Sequence, residues 1–133
     1  MSTYEEKLSL LSEMISFAKI DGQIHEREYQ FLSIVASQLR IEKDAFQSLF
    51  EHEAEKVVIK SEHQRILQFY RLALLMHADG VLHDNEQVAI REMGLNMGLS
   101  PFAMKSVLLE MRKSPTGLID PDILLALFRA QHN

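Results

Sequence analysis

Two stretches of this chain carry the same pattern, and that pattern decides the fold. Residues 18–49 read AKIDGQIHEREYQFLSIVASQLRIEKDAFQSL, and residues 76–107 read MHADGVLHDNEQVAIREMGLNMGLSPFAMKSV. At an offset of 58 positions, four chemically distinctive residues are identical in the two copies: Asp21/Asp79, Gly22/Gly80, His25/His83 and Glu28/Glu86. Self-similarity at a fixed spacing indicates a repeated structural unit.

Apolar residues recur at helical spacing along most of the chain. Residues three or four positions apart form the first apolar stripe: Tyr4, Leu8, Leu11, Ile15 and Ala18. Such a stripe is typical of a helix that buries one face, and no strand-like alternation competes with it. The sequence therefore predicts an all-α fold, a single bundle of six to seven helices built from two helix-turn-helix-helix repeats.

Some helix positions are predicted in more detail. Ser100-Pro101 and Asp120-Pro121 each place a capping residue before a proline, which predicts the starts of the last two helices. The fourth helix, at about 61–78, is apolar on nearly all sides, which predicts that it is the central buried helix. We expect Leu74, midway along this helix, to lie in the core.

A chain of 133 residues has the size of one domain. The predicted domain spans residues 1–133, with repeat one at about 3–50, repeat two at about 61–113 and a closing helix at about 120–132. Residues 51–60 are polar and acidic, which predicts a connection. Each unit alone would leave an apolar face exposed, so we expect the two to share one core.

Composition narrows the classes of function. The chain is 47% hydrophobic and 25% charged, which is typical of globular proteins, and the absence of Cys excludes disulfides and thiolate zinc sites. A net charge of −5 disfavours binding to nucleic acid. No apolar run is long enough to span a membrane, and residues 1–20 lack a secretory signal. We therefore expect a soluble, cytoplasmic protein.

The two D-G turns, residues 21–28 and 79–86, have a purely structural interpretation. The glycine of each turn ends a long helix in the left-handed conformation. The histidine then falls at the N-cap of the next helix, and the glutamate three residues later completes a capping box. This interpretation leaves Asp21 and Asp79 unexplained, because an aspartate in the last turn of a helix opposes the helix dipole.

A metal site is the alternative interpretation. D-G-x-[IL]-x-x-x-E has the spacing of the second half of an EF-hand loop. A conventional EF-hand is excluded, because its first and third ligand positions hold Phe17 and Lys19 in one copy and Leu75 and His77 in the other. Two turns that face one another would still pool four carboxylates: Asp21, Glu28, Asp79 and Glu86. Oxygen ligands of this kind favour Ca²⁺, Mg²⁺ or Mn²⁺.

The same residues resemble the tellurite-resistance TerB-like domain family. The resemblance lies in residues 19–28, 77–86 and 97–100, and it covers about residues 8–112. It implies an all-helical domain, acidic turns suspected of binding metal, and a link to stress or surface-associated complexes. The N-terminal domain of some DnaJ-like co-chaperones is similar, although no J domain is present in these 133 residues. The family often has Ser or Asp where this chain has His25 and His83.

Motifs for catalysis are missing. The chain has no Gly-rich phosphate loop, no G-x-S-x-G and no H-E-x-x-H, and no histidine follows a glutamate at the spacing of a helical di-iron site. We expect a non-enzymatic binding module that responds to divalent metal in a stress-linked complex. The alternative is a metal-free helical adaptor that docks a protein partner, and an unrecognised hydrolase ranks last. A protein partner is expected, with no nucleic acid and no membrane span.

Overall fold

The computed structural model describes residues 3–20, 22–78 and 83–130, and in these ranges the chain forms seven helices and no strand. The helices are α1 (Tyr4–Ala18), α2 (Glu26–Gln38), α3 (Lys43–Leu49), α4 (Glu62–His77), α5 (Asp84–Asn96), α6 (Pro101–Lys113) and α7 (Pro121–Arg129). The prediction of an all-α bundle of six to seven helices is confirmed.

Polar residues cap the N-termini of α6 and α7 at the positions that the sequence predicts. The Ser100 hydroxyl accepts from the N–H of Ala103 at 3.3 Å, and the Asp120 carboxylate accepts from the N–H of Asp122 at 2.8 Å. Proline occupies the first position of both α6 and α7. These caps satisfy N–H groups that have no partner within the helix, so they define where each helix starts.

The 58-residue offset holds for the helix starts. α1 and α4, α2 and α5, and α3 and α6 each begin 58 positions apart. Two residues contact their own equivalents in the other repeat. The Gln68 Nε2 donates to the carbonyl oxygen of Leu10 at 3.0 Å, and the rings of His25 and His83 stack with their centroids 6.5 Å apart. Equivalent residues meet only beside a symmetry axis, so an approximate twofold axis passes between α1 and α4.

α4 is the central helix of the bundle. It packs against α1, α2, α5 and α7, and its residues Phe69, Leu72 and Leu75 are fully buried. The expectation for Leu74 is wrong, because this side chain is only partly buried. It lies on the side of α4 that faces the loop at Gly117, which covers it incompletely.

Polar side chains tie α4 and the connection to α1. The buried Gln68 also donates from Nε2 to the Glu13 carboxylate at 3.1 Å. Residues 51–60 form no helix, as predicted, and the hydroxyls of Ser9 and Ser12 accept backbone N–H groups from this connection at 3.1 and 3.0 Å. Burial lowers the pKa of the Arg71 guanidinium on α4 below its ordinary value, and this group still carries its charge at neutral pH.

We predict that Leu72→Ala lowers the free energy of unfolding by about 2–5 kcal/mol, the range for a large aliphatic side chain removed from a packed core. Leu74→Ala is the matched control on the same helix, and it should cost clearly less, because water already reaches that site. Urea denaturation of both variants measures the difference. Equal losses of stability in the two variants would contradict the difference in burial between Leu72 and Leu74.

α2 and α5 end in the same left-handed conformation, although the residues differ. Arg40 follows α2 with φ +59°, and its equivalent Gly98 follows α5 with φ +76°. In both repeats the next residue donates its N–H to the carbonyl five positions earlier, at 2.9 and 3.0 Å. This Schellman geometry suits glycine, whereas arginine at the same place carries backbone strain.

Arg40→Gly is therefore expected to raise the free energy of unfolding by about 0.5–1 kcal/mol, because relief of left-handed strain exceeds the added freedom of the unfolded chain. Arg40→Ala keeps the strain and should leave stability nearly unchanged. Gly98→Ala introduces the strain and should lower stability by about 1 kcal/mol or more. Thermal and urea unfolding test the series, and a loss of stability in Arg40→Gly would show that the arginine side chain itself stabilises the turn.

Candidate functional site

The described parts of the two D-G turns lie next to each other. His25 and His83 are the N-cap residues of α2 and α5, as predicted. Their rings are parallel to within 9° and stack with a centroid separation of 6.5 Å. The N-termini of α2 and α5 are therefore neighbours across the approximate twofold axis.

The two glutamates of the predicted site stand at these helix N-termini. Glu28 and Glu86 occupy the third position of α2 and α5, and each is only 1% exposed. The Glu28 Oε1 accepts from the backbone N–H of His25 at 3.0 Å, which is the reach-back bond of the predicted capping box. A buried carboxylate is favourable here, because the helix dipole places partial positive charge at the N-terminus.

The two aspartates of the predicted site, Asp21 and Asp79, lie outside the described residues, as does Gly80. The described helices end before these positions, α1 at Ala18 and α4 at His77.

The structure brings together the two helix ends that carry Glu28 and Glu86, with the stacked imidazoles beside them. Within residues 3–20, 22–78 and 83–130, no three His, Asp or Glu side chains form a group that could hold a metal ion. Sequence reasoning did not foresee the stacked histidines, although their identity at the 58-residue offset was the available signal.

A second feature that the sequence did not reveal is a groove between α5 and α6. It encloses about 370 Å³ and extends to the C-terminal end of α4 at Met76 and His77. Arg91, Lys105 and Arg112 line it together with apolar side chains of both helices. Helical spacing did not predict this groove, because the space between two helices depends on the side chains that both helices place there.

Comparisons of the chain with protein-family models, with curated proteins and with solved structures gave no match. The resemblance to TerB-like domains thus rests on the residues of the turns and of the segment that follows α5. In the part of the chain that the structure describes, every helix is too short or too polar to cross a membrane.

We predict that Glu28→Ala lowers the free energy of unfolding by about 1–3 kcal/mol, because it removes a helix cap and leaves the His25 N–H without this acceptor. Glu28→Gln keeps an oxygen acceptor and should cost less. Glu26→Ala, at an exposed position in the same helical turn, is the control and should stay within about 0.5 kcal/mol of the parent. Urea unfolding measures all three, and equal small effects would refute the structural role of Glu28.

Proposed function

We propose that this chain is a non-enzymatic, TerB-like binding module whose two D-G turns take up a divalent cation. The stacking of His25 against His83 supports this proposal most directly. A cation requires its ligands within about 2.0–2.6 Å of a common point. Turns on opposite sides of the bundle would not offer such a point, whereas turns that meet at the twofold axis provide a shared location.

The types of donor in the turns suit a hard cation. The candidate ligands are the four carboxylates of the two turns: Asp21, Glu28, Asp79 and Glu86. Since Glu28 Oε1 already accepts the His25 N–H, we assign the direct ligand role first to the two aspartates. Carboxylate oxygens favour Ca²⁺, Mg²⁺ or Mn²⁺, and the adjacent imidazoles add Zn²⁺ to the ions worth testing.

A cation bound across the turns would change how the module meets a partner. It would hold the N-termini of α2 and α5 together and stabilise the folded state, because binding only to the native form shifts the equilibrium towards it. The link to a stress-related complex is an expectation that comes from the resemblance to TerB-like domains. The module itself performs no catalysis in this proposal.

A thermal melt of metal-stripped protein, with each divalent cation added back, tests this function. At about ten times its dissociation constant, a bound ion adds about 1.4 kcal/mol to the free energy of unfolding. Asp21→Asn combined with Asp79→Asn should abolish that gain. Glu51→Gln combined with Glu55→Gln removes the same charge from the exposed connection and should keep it.

Identical melting temperatures with and without Ca²⁺, Mg²⁺, Mn²⁺ and Zn²⁺ would refute the metal proposal. An equal gain in the aspartate variant and in the parent would place the ion elsewhere on the molecule and would also refute it. Isothermal titration calorimetry of the same variants gives the stoichiometry, and one ion per chain is expected for a site shared by both turns.

A metal-free helical adaptor is the second candidate function, and the α5–α6 groove favours it. Concave, partly apolar surfaces of this volume are typical places for a ligand or a partner segment. The adaptor does not require a cation at the turns. The two functions therefore make separate predictions on separate faces of the protein.

A further inference from the structure

The α5–α6 groove combines an apolar floor with a cationic rim. Leu95, Leu108 and Leu109 contribute apolar surface above the buried Met104, and Leu95 and Leu109 are about half exposed (52% and 47%). The three cations of the rim are Arg91, Lys105 and Arg112. Among the described residues, no carboxylate forms an ion pair with any of the three. In a chain of net charge −5, this groove therefore concentrates uncompensated positive charge.

The first repeat contains the equivalent groove, between α2 and α3, with a volume of about 300 Å³. Six lining positions of the two grooves correspond at the 58-residue offset: Tyr29/Gln87, Ser33/Arg91, Ser37/Leu95, Lys43/Pro101, Phe46/Met104 and Gln47/Lys105. The two grooves thus have the same backbone arrangement but different side chains. Ser33 and Gln47 of the first groove are replaced by the cations Arg91 and Lys105, whereas Lys43 is replaced by Pro101.

Tyr29 bridges the two helices of the first groove. Its ring lies 5.6 Å from the rings of both Phe46 and Phe50, and its hydroxyl accepts a hydrogen bond from the Gln47 side-chain amide. At the equivalent positions the second repeat has Gln87 and Lys105. Neither an aromatic pair nor a side-chain hydrogen bond joins α5 to α6 in the described residues. The second groove thus lacks the bridge that the first repeat makes for itself.

The spacing of the cations selects the kind of occupant. Lys105 and Arg112 are seven residues apart on α6, which is about 10 Å along a helix. A single carboxylate does not span that distance, whereas two acidic side chains on one peptide do. α6 also runs six residues further than its equivalent α3, so the groove is long enough to take a segment of chain.

We propose that the α5–α6 groove binds an acidic peptide segment of a partner protein. The segment places an aromatic or large aliphatic side chain against Leu108, at the place where Tyr29 packs on the equivalent Phe50 in the first repeat. Its carboxylates face Arg91, Lys105 and Arg112. Apolar anchors with complementary charges at the rim are the usual basis of helix-in-groove recognition. This inference rests on the adaptor function and does not depend on a cation at the turns.

The test uses a fluorescein-labelled amphipathic peptide of about 14 residues, with Leu and Phe on one face and Glu on both flanks. Fluorescence anisotropy measures its binding to the full chain in the presence of EDTA, so that the metal proposal has no influence on the outcome. Two comparison peptides replace Glu by Lys, or Phe and Leu by Ala. Sodium decanoate serves as the competitor that represents a small amphipathic anion.

Two groove variants and one control variant locate the binding. Lys105→Glu combined with Arg112→Glu should weaken the acidic peptide about tenfold or more. Gln87→Tyr combined with Lys105→Gln transplants the bridge of the first repeat and should weaken it similarly, with the melting temperature kept. Lys43→Glu places a single charge reversal on the equivalent groove of α2 and α3 and should leave binding unchanged. Far-UV circular dichroism confirms that each variant is folded.

The proposal predicts that the acidic peptide binds, that both comparison peptides bind at least about tenfold more weakly, and that amide shifts in NMR spectra cluster on α5 and α6. Absence of binding at about 1 mM peptide would overturn it. So would equal binding of the Lys peptide, an equal loss in Lys43→Glu, or binding of decanoate without binding of the peptide. The last result would assign the groove to a small amphipathic anion instead.

Discussion

The packing of α1 against α4 across the approximate twofold axis is the interaction on which the rest of the structure depends. Fully buried apolar side chains from both helices, among them Leu11, Phe69 and Leu72, form the centre of the core. Removal of this apolar surface from water supplies the main driving force. Gln68 sets the register of the two helices, because its side-chain amide donates hydrogen bonds to the Leu10 carbonyl and the Glu13 carboxylate. Without this contact, each repeat would expose an apolar face.

The same axis also creates the candidate metal site. α2 begins 58 positions before α5, as α1 begins 58 positions before α4, so the approximate symmetry brings the N-termini of α2 and α5 to a common place. His25 and His83 stack there, and Glu28 and Glu86 are buried directly behind the caps. The pairing of the turns is thus a consequence of how the long helices pack. A local motif places His25, His83, Glu28 and Glu86 at the helix N-termini, and the tertiary symmetry brings these N-termini together.

The two repeats differ most clearly in their grooves. The first repeat bridges its groove with an aromatic cluster around Tyr29 and gains stability from it. In the second repeat, Gly94 stands where the first has Ala36, and a Cβ at Gly94 would lie 2.0 Å from the Met104 sulfur. Met104 therefore packs directly against the backbone of α5. The second repeat keeps its helices together without an aromatic bridge and leaves a cationic groove exposed.

Sequence patterns were sufficient to predict the helical class, the repeat, the caps at Ser100 and Asp120, and the positions of the histidines and glutamates within their helices. These features depend on interactions between residues a few positions apart, which a linear pattern records. Packing between helices determines that Leu74 is only partly buried, that His25 meets His83, and that one groove is bridged and the other open. Each of these outcomes depends on contacts between separate helices, and helical spacing does not specify which faces meet.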